Sequence, residues 1–170
     1  MGDCVTKKVL HAGCGDEQLP PYLAGLLETR LDIDDKVKPD VVAPITDLGD
    51  IGEFDVVYCS HTLEHLYQHQ VEIALAEFKR VLKKGGVVII AVPDLTDVQC
   101  DDVVMYESPA GPITGRDMYY GLDWFVAANP YMGHNTGFTR PSLKKALEEF
   151  FTDVKIINHT KFNVVGIGVK

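Results

Sequence analysis

The chain has 170 residues, 46% of them hydrophobic, and its 16 basic against 25 acidic side chains give a formal net charge of −9. This is the composition of a single globular domain, residues 1–170, large enough to bury a core without a disulfide or metal staple. It excludes a protein that grips nucleic acid through clustered Lys and Arg, because that affinity comes from neutralising phosphates.

Short β-branched runs alternate with helical stretches along the chain, which predicts an α/β fold with a parallel sheet covered on both faces. Strands are expected at residues 8–12, 30–33, 40–43, 54–59, 87–92, 154–159 and 163–169. A helix is expected over 18–28, its start confined by Pro20 and Pro21. Only residues 34–39 separate the second and third strands, too few for a crossover helix, so a loop must serve. The next helix is expected over 66–84. There Val71, Ala74, Leu75, Phe78, Val81 and Leu82 recur at spacings of three and four, and Gly85-Gly86 offers a left-handed stop. Residues 94–140 differ in texture, holding three prolines, five glycines and seven of the fifteen aromatics. An aromatic-rich irregular insertion after a strand is a natural lid or acceptor pocket. A last helix should start near Thr139, an N-cap followed by Pro141, and bury Leu143, Leu147 and Phe150 or Phe151.

No apolar run approaches the ~18 residues of a membrane span, so no membrane partner is expected. Cys4, Cys14, Cys59 and Cys100 contain no C-x-x-C pair. That usage fits the reduced thiols of a cytoplasmic protein.

The run His11-Ala12-Gly13-Cys14-Gly15-Asp16 follows the first strand, where α/β folds bind nucleotide-like cofactors. Asp32 and Asp34 come at the end of the second strand, where a carboxylate can accept from ribose hydroxyls. A dinucleotide fingerprint would place a third glycine at position 18, which is Gln. Asp16 and Glu17 would repel a diphosphate but attract a cationic amine and sulfonium.

With that loop, with Leu31-Asp32-Ile33-Asp34, with Phe54-Asp55-Val56-Val57-Tyr58-Cys59-Ser60-His61-Thr62-Leu63-Glu64-His65, and with Arg80-Val81-Leu82-Lys83-Lys84-Gly85-Gly86 leading to Val92-Pro93-Asp94, the chain resembles the class I S-adenosylmethionine-dependent methyltransferases. The resemblance is to their small bacterial methyltransferase-domain type. It implies a Rossmann-like three-layer sandwich around a mostly parallel seven-stranded sheet with a reversed last strand. It also implies S-adenosyl-L-methionine as cofactor. Ala12, Gly13, Cys14 and Gly15, with Asp16 as a further candidate, would pass its methionine part. Asp32, or Asp34 in its place, would hold the ribose, and Ile33 would lie against the adenine. Asp47 and Leu48 would meet the adenine edge, and Ser60 and His61 would lie over the cofactor. The acceptor is expected to be a small molecule or glycan-like. The alternatives are a nicotinamide-dependent oxidoreductase and a non-catalytic S-adenosylmethionine-binding module.

His61-Thr62-Leu63-Glu64-His65 also fits the inverted zincin pattern H-x-x-E-H. Because His61 follows a strand directly rather than lying within a helix, the match reads as incidental, no metal site is expected, and Glu64 and His65 are expected to cap the helix or pair with backbone. His61 and His134 are the candidate general bases, since imidazole titrates near neutral pH. Either is equally readable as a hydrogen-bonded structural histidine. Arg116, Tyr119, Tyr120 and Trp124 either grip the acceptor or close the insertion onto the domain.

Overall fold

The computed structural model describes residues 6–158 and 162–170. Cys4 and the expected strand end at His159 lie outside them. In chain order the elements are β1 (Lys8–Ala12), β2 (Leu27–Asp32), β3 (Val41–Val42), β4 (Phe54–Ser60), α1 (Gln68–Val81), β5 (Leu82–Pro93), β6 (Val104–Ser108), β7 (Gly111–Thr114), α2 (Gly115–Tyr120), α3 (Asp123–Ala128), α4 (Arg140–Glu148), β8 (Thr152–Asn158) and β9 (Asn163–Val169). Seven strands form one sheet in the order β3-β2-β1-β4-β5-β9-β8, and β6-β7 form a separate hairpin. The pairs from β3 through β5 are parallel, whereas β9 runs antiparallel to both β5 and β8. The fold is therefore the Rossmann-like α/β sheet with its last strand reversed.

Alternation along the strands sends successive side chains to opposite faces. Leu10, Ala12, Leu31, Val57, Cys59, Val88, Ile90, Val92 and Val164 form the main core with Val71, Leu75 and Phe78 of α1 and Leu143 and Leu147 of α4. At Gly166 a β-carbon would collide with Leu147, so the missing side chain lets α4 lie directly on β9. The opposite face, with Val9, Ile89 and Val165, is covered by Leu19, Leu23 and Leu26 from the connection between β1 and β2.

That connection is where the structure departs most from expectation. Residues 18–28 form no helix. They make turns, with Leu23 N–H donating to Pro20 O and Leu26 N–H to Leu23 O, and β2 starts at Leu27 rather than at residue 30. Pro20 and Pro21 supply no amide hydrogens and Gly25 has poor helix propensity, so turns win over a helix. The predicted helix over 66–84 is shorter at both ends. Leu63–His65 is a separate 3₁₀ turn, and α1 ends at Val81 because Leu82 is extended and pairs with Phe54 of β4. Gly85, at φ 76°, lies in the register shift between that pair and Val56 with Val87, so it serves a bulge and not a helix stop. The insertion, expected to be irregular, holds the hairpin and two short helices. The last helix agrees with expectation: Ser142 N–H donates to Thr139 Oγ1, and Leu143, Leu147 and Phe151 are buried.

Candidate active site

The chain runs from β1 outward to β2 and β3, then returns to β4 on the other side of β1. Ligands of open α/β sheets bind at the carboxyl ends of the strands beside such a switch point. The glycine loop sits there. Gly13 and Cys14 N–H both donate to Leu31 O, at 2.8 and 3.0 Å, and Gly15 N–H donates to Asp32 Oδ2 at 2.8 Å. Arg30 braces the loop, its guanidinium donating to Gly15 O at 2.6 Å and Glu17 O at 2.7 Å. Gly13, at φ 67°, lies against the end of β4, where an added β-carbon would stand 2.8 Å from Thr62 Cβ. The Thr62 hydroxyl sits between the Ser60 and Gly13 carbonyl oxygens, at 3.1 and 3.3 Å. Gly15 is different, with open space on the side where its β-carbon would be.

Asp32 accepts on both oxygens, from Gly15 N–H and, at 2.9 Å, from Asp34 N–H. Each carboxylate oxygen accepts a second donor, so the group keeps capacity for a ribose diol. Ile33 is 46% exposed beside it. Asp34 is occupied as the cap of the 3₁₀ turn Asp35–Val37, accepting from Lys36 N–H. Asp47 is exposed and accepts from Gly49 N–H at 3.3 Å. Leu48 does not fit the adenine-edge role expected of it: it is buried and its N–H donates to Glu77 Oε2 at 2.8 Å. Ala12 and Cys14 are buried too, leaving only their backbone to the site.

These donors and acceptors fit a cationic nucleoside cofactor. The amides of Gly13, Cys14 and Gly15 are already donated within the protein, and the loop leads into turns rather than a helix N-terminus. A diphosphate needs such free amides. The exposed carboxylates of Asp16 and Glu17 suit an ammonium or sulfonium instead.

At the end of β4, Ser60 and His61 line a cleft of about 130 Å³ together with Tyr22, Tyr58, Ala91 and Asn163. His61 has φ 50° and a half-exposed side chain whose Nδ1 stands 3.3 Å from Oε1 of Glu64. Burial works to lower the imidazole pKa, but hydrogen bonding and charge from Glu64, with Glu17 further off, leave it raised. Glu64 is 2% exposed, and neither carboxylate oxygen has a properly aligned hydrogen-bond donor. Burial pushes its pKa up, yet His61 and His65 hold it below the ordinary range.

His134 comes from the insertion to the same place. Its ring lies edge-on to His65, with centroids 5.1 Å apart, and its Nδ1 donates to Met118 O at 2.9 Å. Both candidate bases are thus gathered around Glu64, but only His61 lines the cleft. Among the other candidates, Arg116 pairs with Asp102 and Tyr119 donates to Val98 O, whereas Tyr120 and Trp124 are exposed. Glu64 caps no helix; the N–H of Tyr67 at the start of α1 is accepted by Gln70. Sequence reasoning missed Arg30, Thr62 and Glu77 as supports of the loops. It also missed the burial of Glu64, for which the H-x-x-E-H spacing was the available signal.

Residues 10–90 match the family model of a methyltransferase domain. A search of curated protein sequences returns no match. Among solved structures, a SAM-dependent methyltransferase from Archaeoglobus fulgidus is 17% identical with a TM-score of 0.68, over 98% of this chain and 87% of that one. A putative S-adenosylmethionine-dependent methyltransferase from Listeria monocytogenes is 14% identical, TM-score 0.66, over 100% and 93% of the two chains. The 1,6-didemethyltoxoflavin-N1-methyltransferase of Burkholderia thailandensis, solved with S-adenosylhomocysteine, is 18% identical, TM-score 0.62, over 97% and 71%. With the glycine loop, the strand-end Asp32 and the reversed last strand in place, the chain has the fold of the S-adenosylmethionine-dependent methyltransferases, and its residues 10–90 match the methyltransferase-domain model.

Proposed function

We propose that the methyl acceptor is a small molecule seated in the cleft at the ends of β4 and β5, with His61 as its general base. The observation that supports this is the position of His61 on the wall of that cleft with Nδ1 turned to the Glu64 carboxylate. A carboxylate partner on Nδ1 leaves Nε2 to take a proton, and it raises the basicity of the ring. When bound, S-adenosylmethionine supplies a methyl group on a positively charged sulfur, ready for in-line attack.

Asp32 holds the ribose, Gly15 gives its open side to the methionine part, Ile33 covers the adenine, and Asp16 attracts the amine. Positioning dominates catalysis of this kind, with a base needed only where the acceptor retains its proton. Tyr22, Tyr58 and Ala91 provide an apolar seat for the body of the acceptor, and Ser60 and Asn163 provide polar contacts. In this reading the chain is one domain, and residues 94–140, none of which lines this cleft, serve as a lid toward the acceptor, with exposed rings at Tyr120 and Trp124.

The test is S-adenosylhomocysteine release from S-adenosylmethionine in the presence of small phenols, amines and glycosides. Wild-type turnover with one of these classes is expected, with His61→Gln lowering kcat 10²–10⁴-fold at unchanged S-adenosylhomocysteine affinity. Turnover unaffected by His61→Gln removes the base assignment.

A further inference from the structure

Glu64, which faces His61 on one side, meets His65 and His134 on the other, and these two histidines have no part in the proposed methyl transfer. One ligand atom from each of Glu64, His65 and His134 lies within 4.8 Å of the other two. Glu64 is buried and neither oxygen has a well-aligned hydrogen-bond donor, His61 Nδ1 standing 3.3 Å from Oε1, so the carboxylate keeps lone pairs free for a cation. The two histidines are already set as ligands. Nδ1 of His65 faces Gly133 O at 3.2 Å, and Nδ1 of His134 faces Met118 O at 2.9 Å. A carbonyl oxygen only accepts, so each Nδ1 carries a proton, and in the neutral ring Nε2 keeps the lone pair a metal takes. Metal-binding histidines are oriented in this way, the second ring nitrogen donating to a carbonyl or carboxylate.

The two backbone segments that supply the cluster are stitched together. Asn135 and Thr136 N–H both donate to Glu64 O, Asn135 Nδ2 donates to His65 O at 2.8 Å, and the Thr136 hydroxyl donates to Leu66 O at 2.6 Å. A site on rigid, hydrogen-bonded backbone needs little reorganisation on binding.

We propose that Glu64, His65 and His134 bind one divalent transition-metal ion of the zinc type, fastening the insertion to the turn that follows β4. Two imidazoles and one carboxylate make a borderline-soft donor set suited to zinc, with a fourth position left for water. Zinc bonds of about 2.0–2.2 Å place neighbouring donors about 3.3 Å apart, so binding draws the three atoms inward.

The experiment is titration of the full-length, chelator-treated protein with zinc chloride by calorimetry, with bound metal counted after dialysis. One equivalent is expected, with Glu64→Gln and His134→Gln each lowering affinity at least tenfold. Their folding is checked by thermal unfolding. Cobalt(II) loaded into the wild-type protein provides a measurement independent of the variants. Intense visible bands of a four- or five-coordinate nitrogen and oxygen site, with no thiolate charge transfer, are expected. Absence of saturable zinc binding, equal affinity in folded variants, or a thiolate band from cysteine ligation overturns the proposal.

Discussion

Gly13 and Gly15 look equivalent in the sequence but meet different surroundings, and alanine at each separates two roles. Gly13→Ala imposes a left-handed backbone on a residue with a β-carbon, costing about 1–2 kcal/mol. It also drives that carbon into Thr62, 2.8 Å from its Cβ and closer still to the atoms beyond. Overpacking of that kind adds about 1–3 kcal/mol, for a total of about 2–5 kcal/mol. In a domain of this length the melting temperature should fall by at least about 4 °C. Gly15→Ala meets no atom within 4 Å, so only the backbone term remains.

The assay is urea unfolding of each variant with and without Thr62→Gly. The coupling energy for the Gly13 and Thr62 pair should be about 1–3 kcal/mol, and for Gly15 and Thr62 within about 0.5 kcal/mol of zero. Calorimetry with S-adenosylhomocysteine should show the reverse order, Gly15→Ala losing about tenfold in affinity, which is about 1.4 kcal/mol. Equal coupling at both glycines would refute the packing argument, and unchanged affinity in Gly15→Ala would refute its open side as a cofactor surface.

Asp32→Ala should abolish measurable S-adenosylhomocysteine binding and also cost about 1–3 kcal/mol in urea unfolding, because the amides of Gly15 and Asp34 lose their acceptor. Asp34→Ala should leave binding within a few fold in the same calorimetric titration. Burial raises the Asp94 pKa, but hydrogen bonds from Thr96 and Arg140 outweigh it and leave the value lowered. Its contribution is therefore present above the unfolded value of about 4 and lost as pH falls through the lower folded value, so Asp94→Asn should flatten the acid limb of a Tm–pH curve below about pH 4. His11 has its pKa lowered by burial, partly opposed by its Glu28 hydrogen bond. The unfolded chain then binds the extra proton, and thermal stability should fall as pH drops through about 6.5 and level off below the folded value, a step that His11→Gln removes.

Local rules were sufficient where one element decides its own fate. The apolar spacing of Val71, Leu75 and Phe78 and the Thr139 cap made α1 and α4 readable, and the unbroken apolar, mostly β-branched run over residues 87–92 made the centre of β5 readable. They failed where tertiary structure chooses. Leu19, Leu23 and Leu26 have helical spacing, yet a run of turns can set the same three side chains on the sheet, and two prolines tip the balance. In the same way Leu82 continues the helical stripe but is claimed by Phe54 across the sheet. Gly15, Asp32 and Ile33 were legible because strand ends put them near one another in any fold of this topology. The Glu64 cluster was not, since His134 reaches it from 70 residues away through pairing of two loops that no periodicity announces.

The ends of the insertion are zipped shut. Leu95 N–H donates to Phe138 O, Arg140 N–H to Thr96 Oγ1, and the Arg140 guanidinium to buried Asp94 at 2.7 Å. Everything between therefore departs from and returns to one fixed gate on the sheet, and doubling its length costs only about 0.6 kcal/mol of closure entropy. Such a gate makes the insertion an exchangeable cassette: residues between Asp97 and Phe138 can be lengthened, trimmed or replaced while β1, β2 and the glycine loop keep their geometry. A graft cut at Asp94 and Arg140 carries its own clasp with it.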